Sequence, residues 1–151
     1  MASDRWRVFL DANVIIAGVA SRTGASAAIL DLGEAEEIRI VMSRQVLVEA
    51  DRTLEAKFPV LAEGFRHFVR NLAPDVVDDP VPEDVSRAEK VIHVDDAPIL
   101  AAALGGDVDF LVSLDTRHFH AAAVKAYFPK PIFTPAEFLG AFRAYWEKSG
   151  M

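Results

Sequence analysis

The segment Val8–Gly18, VFLDANVIIAG, decides how the chain folds. It opens with a short apolar run, Val8–Leu10, which stops at Asp11 and is followed by a second apolar run, Val14–Ile16. A short apolar run with a polar stop is typical of a strand buried in a parallel sheet. Ligands of open α/β sheets bind beyond the carboxyl ends of the strands, so we expect Asp11 at a binding edge. The alternative is that Asp11 only caps the following helix.

Three more apolar runs, each ending near a polar residue, predict further strands at Ile38–Met42, Phe110–Val112 and Pro131–Phe133. Helical spacing and capping residues predict helices at Ser26–Gly33, from Ser43, around Phe65–Leu72, at Asp96–Leu104 with Asp95 as its cap, and from Thr134. The alternation predicts an α/β fold, a three-layer α/β/α sandwich with a parallel sheet of four to five strands. Val76 and Val77 are the candidates for a short edge strand.

The length and composition indicate one globular domain over residues 1–151, with 52% hydrophobic and 26% charged residues. The absence of cysteine excludes disulfides, thiolate metal sites and a cysteine nucleophile. Residues 1–7 lack the apolar core of a signal peptide, and no apolar run approaches the roughly 18 residues of a membrane span. We therefore expect a cytoplasmic protein that does not enter membranes.

The net charge of −7 argues against a protein that coats nucleic acid by charge alone. It is compatible with an enzyme whose carboxylates hold metal ions, because a cation then lies between the acids and a phosphate. The arrangement of the acids therefore decides which class of function applies.

Four carboxylates occupy positions that stability alone does not explain. Asp115 follows the strand Phe110–Val112 as Asp11 follows Val8–Leu10, although each alone is also explained as a turn or cap residue. Asp96 precedes Ile99, Leu100 and Ala103 at helical spacing and so faces the core, where an unpaired charge is costly. Glu49 borders the apolar stripe of its helix; the alternative is a solvated pair with Arg52.

Four motifs together resemble the PIN domain family. They are VFLDANVIIAG with Asp11 and Asn13, SRQVLVEA with Glu49, DDAPILAAAL with Asp96, and VDFLVSLDTRHF with Ser113 and Asp115. Their order and spacing agree over about 130 residues. Arg117 departs from the pattern, because many members carry a second acid there.

The resemblance implies a metal-dependent endoribonuclease that cleaves phosphodiester bonds of single-stranded RNA. Asp11, Asp96 and Asp115 are then ligands of Mg²⁺ or Mn²⁺, since hard oxygen donors select such ions, and Glu49 is a ligand or orients water. Asn13 and Ser113 are expected to hold the carboxylates by hydrogen bonds. The arginines nearest these motifs, Arg22, Arg44 and Arg117, are candidates for phosphate contacts, with solvated surface charge as the alternative.

The resemblance also implies partners. Chains of this size resemble the toxins of VapC-like toxin–antitoxin pairs, which need an antitoxin, and the family commonly forms homodimers. The final helix carries Phe138, Phe142, Tyr145 and Trp146, which either pack on a partner chain or complete the core.

Other functions fit the residues less well. A haloacid-dehalogenase-like phosphatase needs a second Asp where this chain has Asn13, and a receiver domain needs an Asp after another strand. A non-catalytic module that binds RNA or a protein is the alternative from another class; the presence of all four acids argues against it. His118 and His120 flank Phe119, which is predicted to be a core residue, so structural roles are favoured for both histidines.

Overall fold

The computed structural model describes residues 5–150, so most of the amino-terminal segment examined for a signal peptide lies outside the described residues. Five strands form one sheet: β1 (Arg7–Leu10), β2 (Arg39–Ser43), β3 (Asp75–Val77), β4 (Phe110–Val112) and β5 (Ile132–Phe133). All four neighbouring pairs are parallel, in the order β3-β2-β1-β4-β5. The predicted parallel sheet is confirmed, including the edge strand at Val76 and Val77.

Eight helices connect and flank the strands: α1 (Ala12–Ala20), α2 (Ala25–Glu34), α3 (Arg44–Lys57), α4 (Pro59–Leu72), α5 (Pro82–Ala88), α6 (Ala97–Gly105), α7 (Ala122–Tyr127) and α8 (Pro135–Ser149). Ser43 begins α3 by accepting a hydrogen bond of 3.1 Å from the Val46 N–H. Thr134 and Glu137 form the predicted capping box of α8. No single described helix has the length and apolar character to cross a membrane; α1 and α2 meet that test only as a pair bent by 94°.

Helices cover both faces of the sheet. Consecutive residues of a strand point to opposite faces, and the consecutive residues of Val8–Leu10 and Ile40–Met42 are all buried. On one side α1, α2, α3 and α4 pack together, with α8 on α2, while α5 and α6 pack on each other. Gly33 lets α2 approach β2, because a Cβ there would lie 2.3 Å from Cδ1 of Ile40.

The strand order places the switch point between β1 and β4. From β1 the chain builds outward through β2 and β3, then returns to the other side of β1 to form β4 and β5. Leu10 and Val112 are register partners, so the residues that follow them emerge side by side. Ligands of open α/β folds bind at such a crevice.

One capping expectation was wrong. Helix α6 begins at Ala97 rather than Asp96, and its N-cap position is Asp96, not Asp95. A turn closed by the Asp96 N–H and the His93 carbonyl, 2.9 Å apart, precedes the helix. Pro98 then lies in the first turn, where its missing N–H costs nothing. The side chain of Asp96 makes no capping hydrogen bond and is free to face the sheet edge.

Helix α8 completes the core with its first half. Phe138 is fully buried, and Trp6 packs against Phe138, Phe142 and Tyr145 at ring-centroid distances of 4.6 to 6.0 Å. The second half of the helix leaves Trp146 55% exposed.

Candidate metal centre

Asp11 and Ser113 meet at the carboxyl ends of β1 and β4. The Asp11 N–H donates to the Val112 carbonyl at 3.0 Å, which continues the pairing of the two strands. The Ser113 hydroxyl then donates to Oδ2 of Asp11 at 2.8 Å. Oδ1 of Asp11 accepts from the Ala12 N–H at 2.8 Å, so Asp11 caps α1 with one oxygen and faces the site with the other.

Asn13 links the start of α1 to the loop after β4. Its Nδ2 donates to Oδ2 of Asp11 at 3.3 Å and to Oγ of Ser113 at 3.4 Å. Its Oδ1 accepts from the Leu114 N–H at 3.1 Å. The amide therefore fixes the Asp11 carboxylate and the loop that carries Asp115 relative to each other.

Asp115 combines a turn with an open carboxylate oxygen. Its N–H donates to Oγ of Ser113 at 3.0 Å, and its Oδ1 accepts from the N–H groups of Arg117 and His118 at 3.1 and 2.9 Å. Oδ1 of Asp115 therefore has the turn-forming role that the sequence analysis gave as an alternative. Oδ2 has another neighbour, Nδ1 of His118, at 3.2 Å.

Asp96 and Asp115 are joined through His118. Nδ1 of His118 lies 2.9 Å from Oδ2 of Asp96, and the side chains of Asp96 and Asp115 are 22% and 26% exposed. The sequence favoured a structural role for His118, and the structure places its ring between two of the four acids. The residue stands three positions after Asp115 in an irregular turn, and no sequence periodicity gives the direction of its side chain.

The other two aromatic positions of this segment have structural roles. Phe119 is fully buried, as predicted. Nε2 of His120 donates to the Ser113 carbonyl at 3.0 Å and so braces the loop after β4.

The carboxyl groups of Glu49 and Asp96 influence the pKa of Asp11, and Asp96 also influences the pKa of Glu49. Burial raises the pKa of Asp11 from 3.8 to about 6, and the charges of Glu49 and Asp96 add to the increase. Withdrawal of the Glu49 carboxyl from water raises its pKa as well, again with a contribution from Asp96. Within the described part of the chain, the only ion pairs of these four acids are with His118.

The donor set fits a divalent cation. One ligand atom each from Asp96, Asp115 and His118 lies within 4.8 Å of the others, and all three residues are half-buried. Asp11 and Glu49 lie outside this cluster of ligand atoms, but the negative charge of Asp96 raises the pKa of both, and a cation would relieve that repulsion. Oxygen donors of this kind suit Mg²⁺ and Mn²⁺.

Cationic side chains line two hollows that include members of this centre. Arg44, Arg52 and Glu49 line a hollow of about 700 Å³ along α3. The alternative pair of Glu49 with Arg52 is absent, since no ion pair of Arg52 is found within residues 5–150 and both residues line the open hollow instead.

A smaller hollow of about 260 Å³ lies against the other side of the centre and is lined by Lys90, Arg117, His93 and His118. The remaining candidate, Arg22, lines a separate hollow between α2 and α4 that none of the four acids lines. Of the three arginines named from the sequence, Arg44 therefore shares a hollow with Glu49, and Arg117 shares one with His118.

Residues 7–117 match the family model of the PIN domain. No curated protein matches the chain. Three solved structures share the fold: VapBC2 from Rickettsia felis bound to a DNA fragment from their promoter, PAE2754 from Pyrobaculum aerophilum, and FitAcB from Neisseria gonorrhoeae. Their TM-scores are 0.59, 0.62 and 0.58, at identities of 14%, 19% and 17%. The matches cover 84%, 95% and 85% of this chain and 96%, 98% and 97% of those chains.

Proposed function

The chain belongs to the PIN domain family, and from its acidic centre we propose that it is a metal-dependent endoribonuclease that cleaves single-stranded RNA. The observation that supports this proposal is that Asp11 and Asp115 follow adjacent strands, that the charges of Glu49 and Asp96 act on Asp11, and that no arginine or lysine pairs with these four acids within residues 5–150. Partly buried carboxylates without a positive partner lower the stability of the folded chain, and a bound cation would offset this loss.

Asp11, Asp96 and Asp115 are the proposed ligands of Mg²⁺ or Mn²⁺. A bound ion of this kind polarises the scissile phosphate and makes hydroxide available near neutral pH. Glu49, whose carboxyl is coupled to the charge of Asp96, is a further ligand or orients the attacking water. Asn13 and Ser113 hold the Asp11 carboxylate in place by hydrogen bonds.

The hollow along α3 is the proposed path of the substrate strand. Arg44, Val48 and Arg52 follow one another at i, i+4 and i+8, so they share one face of the helix, beside Glu49. Two guanidinium groups on that face can each bind a phosphate, and Arg117, which lines a hollow with His118, is a third candidate cation.

We further propose that this single-domain protein acts in the cytoplasm as the toxin of a type II toxin–antitoxin pair. The proposal is supported by the shared fold with VapBC2 and FitAcB. A homodimer is proposed on the exposed Tyr145 and Trp146 of α8, which are 43% and 55% exposed.

Incubation of the purified protein with labelled single-stranded RNA tests the proposed activity. We expect internal cleavage with Mn²⁺ or Mg²⁺ and none with excess EDTA. RNA that is bound but never cut, with or without metal, would contradict the nuclease assignment and support the alternative of a non-catalytic RNA-binding module.

A further inference from the structure

We propose that His118 is a nitrogen ligand of the metal centre and shifts its ion preference from Mg²⁺ towards first-row transition ions such as Mn²⁺. This inference rests on the proposed metal-dependent function and adds a donor that the four-carboxylate pattern does not contain. The sequence did not indicate where the side chain of His118 points.

Two of the three distances between the donor atoms match adjacent ligands around one ion, and all three atoms lie within 4.8 Å of one another. Nδ1 of His118 is 2.9 Å from Oδ2 of Asp96 and 3.2 Å from Oδ2 of Asp115. Ions with octahedral bonds of about 2.1–2.2 Å hold neighbouring donors about 3.0–3.1 Å apart. A cation therefore fits among these atoms with little movement of the side chains, and its bonds replace the hydrogen bond between the ring and the carboxylates.

The turn that carries His118 fixes the direction of the donors. The His118 N–H and the Arg117 N–H both donate to Oδ1 of Asp115, which leaves Oδ2 to face the ring. The next residue, Phe119, is fully buried and anchors the chain. His93 stacks on the His118 ring with centroids 5.6 Å apart and planes 10° apart, which restricts the ring's rotation.

Each of the other two histidines near the centre has one ring nitrogen engaged elsewhere. Nδ1 of His93 accepts the Asp95 N–H at 3.1 Å, and Nε2 of His120 donates to the Ser113 carbonyl at 3.0 Å. Within residues 5–150, the one candidate cluster of ligand atoms that includes a histidine is Asp96, Asp115 and His118. His118 is thus the histidine placed to coordinate.

A nitrogen donor changes which ions the centre holds best. Mg²⁺ is bound through oxygen and keeps much of its water, whereas imidazole is a good ligand for first-row transition ions. Replacing one oxygen or water position by Nδ1 of His118 therefore favours Mn²⁺ and the ions after it over Mg²⁺.

Pulsed electron paramagnetic resonance of the full chain loaded with Mn²⁺ tests this assignment. We expect a directly coordinated ¹⁴N signal in the wild type and in His67→Ala, which changes an exposed histidine of α4, and its loss in His118→Ala and His118→Gln. Circular dichroism checks that each variant is folded, and the glutamine variant keeps a polar side chain in the turn.

Calorimetric titration supplies the second readout. We expect His118→Gln to weaken Mn²⁺ binding by about 10-fold or more, and Mg²⁺ binding by clearly less. Wild-type protein without a nitrogen signal, a signal that survives in His118→Ala, or equal losses for the two ions would overturn the proposal. RNA cleavage that needs metal while the nitrogen signal is absent would overturn only this inference, whereas cleavage unaffected by EDTA would overturn the proposed function itself.

Discussion

The Ser113 hydroxyl donates a 2.8 Å hydrogen bond to Oδ2 of Asp11, joining residues 102 positions apart in the chain. The same Oγ accepts the Asp115 N–H, so one fully buried serine connects two of the four acids. The bond to Asp11 is buried and the bond from Asp115 is part-buried.

The first prediction concerns this serine. Ser113→Ala removes the acceptor of the Asp115 N–H and the donor to Asp11, which should lower the free energy of unfolding by about 1–3 kcal/mol. RNA cleavage should fall about 10- to 100-fold, because the carboxylates lose their support. Ser113→Thr keeps a hydroxyl and is the matched control for both urea unfolding and cleavage. Equal activity in all three proteins would contradict the role given to the hydroxyl.

The second prediction concerns pH in metal-free protein. The pKa of Asp11 is raised from 3.8 to about 6 in the folded state, so ionising it costs more when the chain is folded. Its contribution to stability is full below about pH 4 and is lost as the pH rises through about 6, up to about 3 kcal/mol. Glu49, whose pKa is also raised, acts in the same direction.

Asp11→Asn cannot ionise and therefore escapes this loss. Measured by urea unfolding in EDTA, the stability of the variant relative to wild type should improve between pH 4 and pH 7. Asp95→Asn, which removes an exposed neighbouring carboxylate, should show no such trend. If the stability of Asp11→Asn relative to wild type stays flat or declines over this range, burial does not raise the pKa of the Asp11 carboxyl.

The third prediction concerns metal binding to the folded state. At a Mn²⁺ concentration 100 times its Kd, binding adds about 2.7 kcal/mol to the free energy of unfolding, which raises Tm by roughly 5–10 °C for a chain of this size. Asp96→Asn should lose most of the increase, and Asp95→Asn should keep it. If millimolar Mn²⁺ leaves the Tm of the wild type unchanged, the chain has no preformed metal site.

The fourth prediction concerns the hollow along α3. Arg44→Gln and Arg52→Gln should each raise KM for RNA several-fold with little change in kcat, because they remove phosphate-binding groups that do not touch the reacting bond. The salt dependence of binding should weaken by about 0.7 in the log–log slope for each phosphate that is no longer neutralised. Arg143→Gln, on the exposed face of α8, is the control. If KM and the salt-dependence slope of the Arg44 and Arg52 variants equal those of the wild type, the substrate does not bind along α3.

The strands and three of the acids were predictable for a simple reason. A strand buried in a parallel sheet has a short apolar run as its sequence, and the residues just after it lie at the ligand-binding edge of the sheet. This rule placed both Asp11 and Asp115. Asp96 followed from helical periodicity, although the helix began one residue later than expected because a turn at His93–Asp96 precedes it.

The rest depended on three-dimensional detail that a sequence pattern does not contain. His118 lies in an irregular turn, where no periodicity fixes the direction of a side chain. The absence of a Glu49–Arg52 pair depends on rotamers that border an open hollow, and the position of Arg22 depends on how α2 packs near α4. Local spacing determines which residues share an element, but tertiary packing determines which elements meet.

The most direct test of the central claim compares single-turnover cleavage of single-stranded RNA by wild type, Asp96→Asn and Asp95→Asn in Mn²⁺ and in EDTA. We predict metal-dependent cleavage by wild type and Asp95→Asn, and a rate at least about 100-fold lower for Asp96→Asn, because the change removes a proposed ligand of an ion that would stabilise the transition state by several kcal/mol. Equal rates for Asp96→Asn and wild type, or cleavage that continues in EDTA, would contradict the assignment of these acids as a metal-dependent nuclease centre.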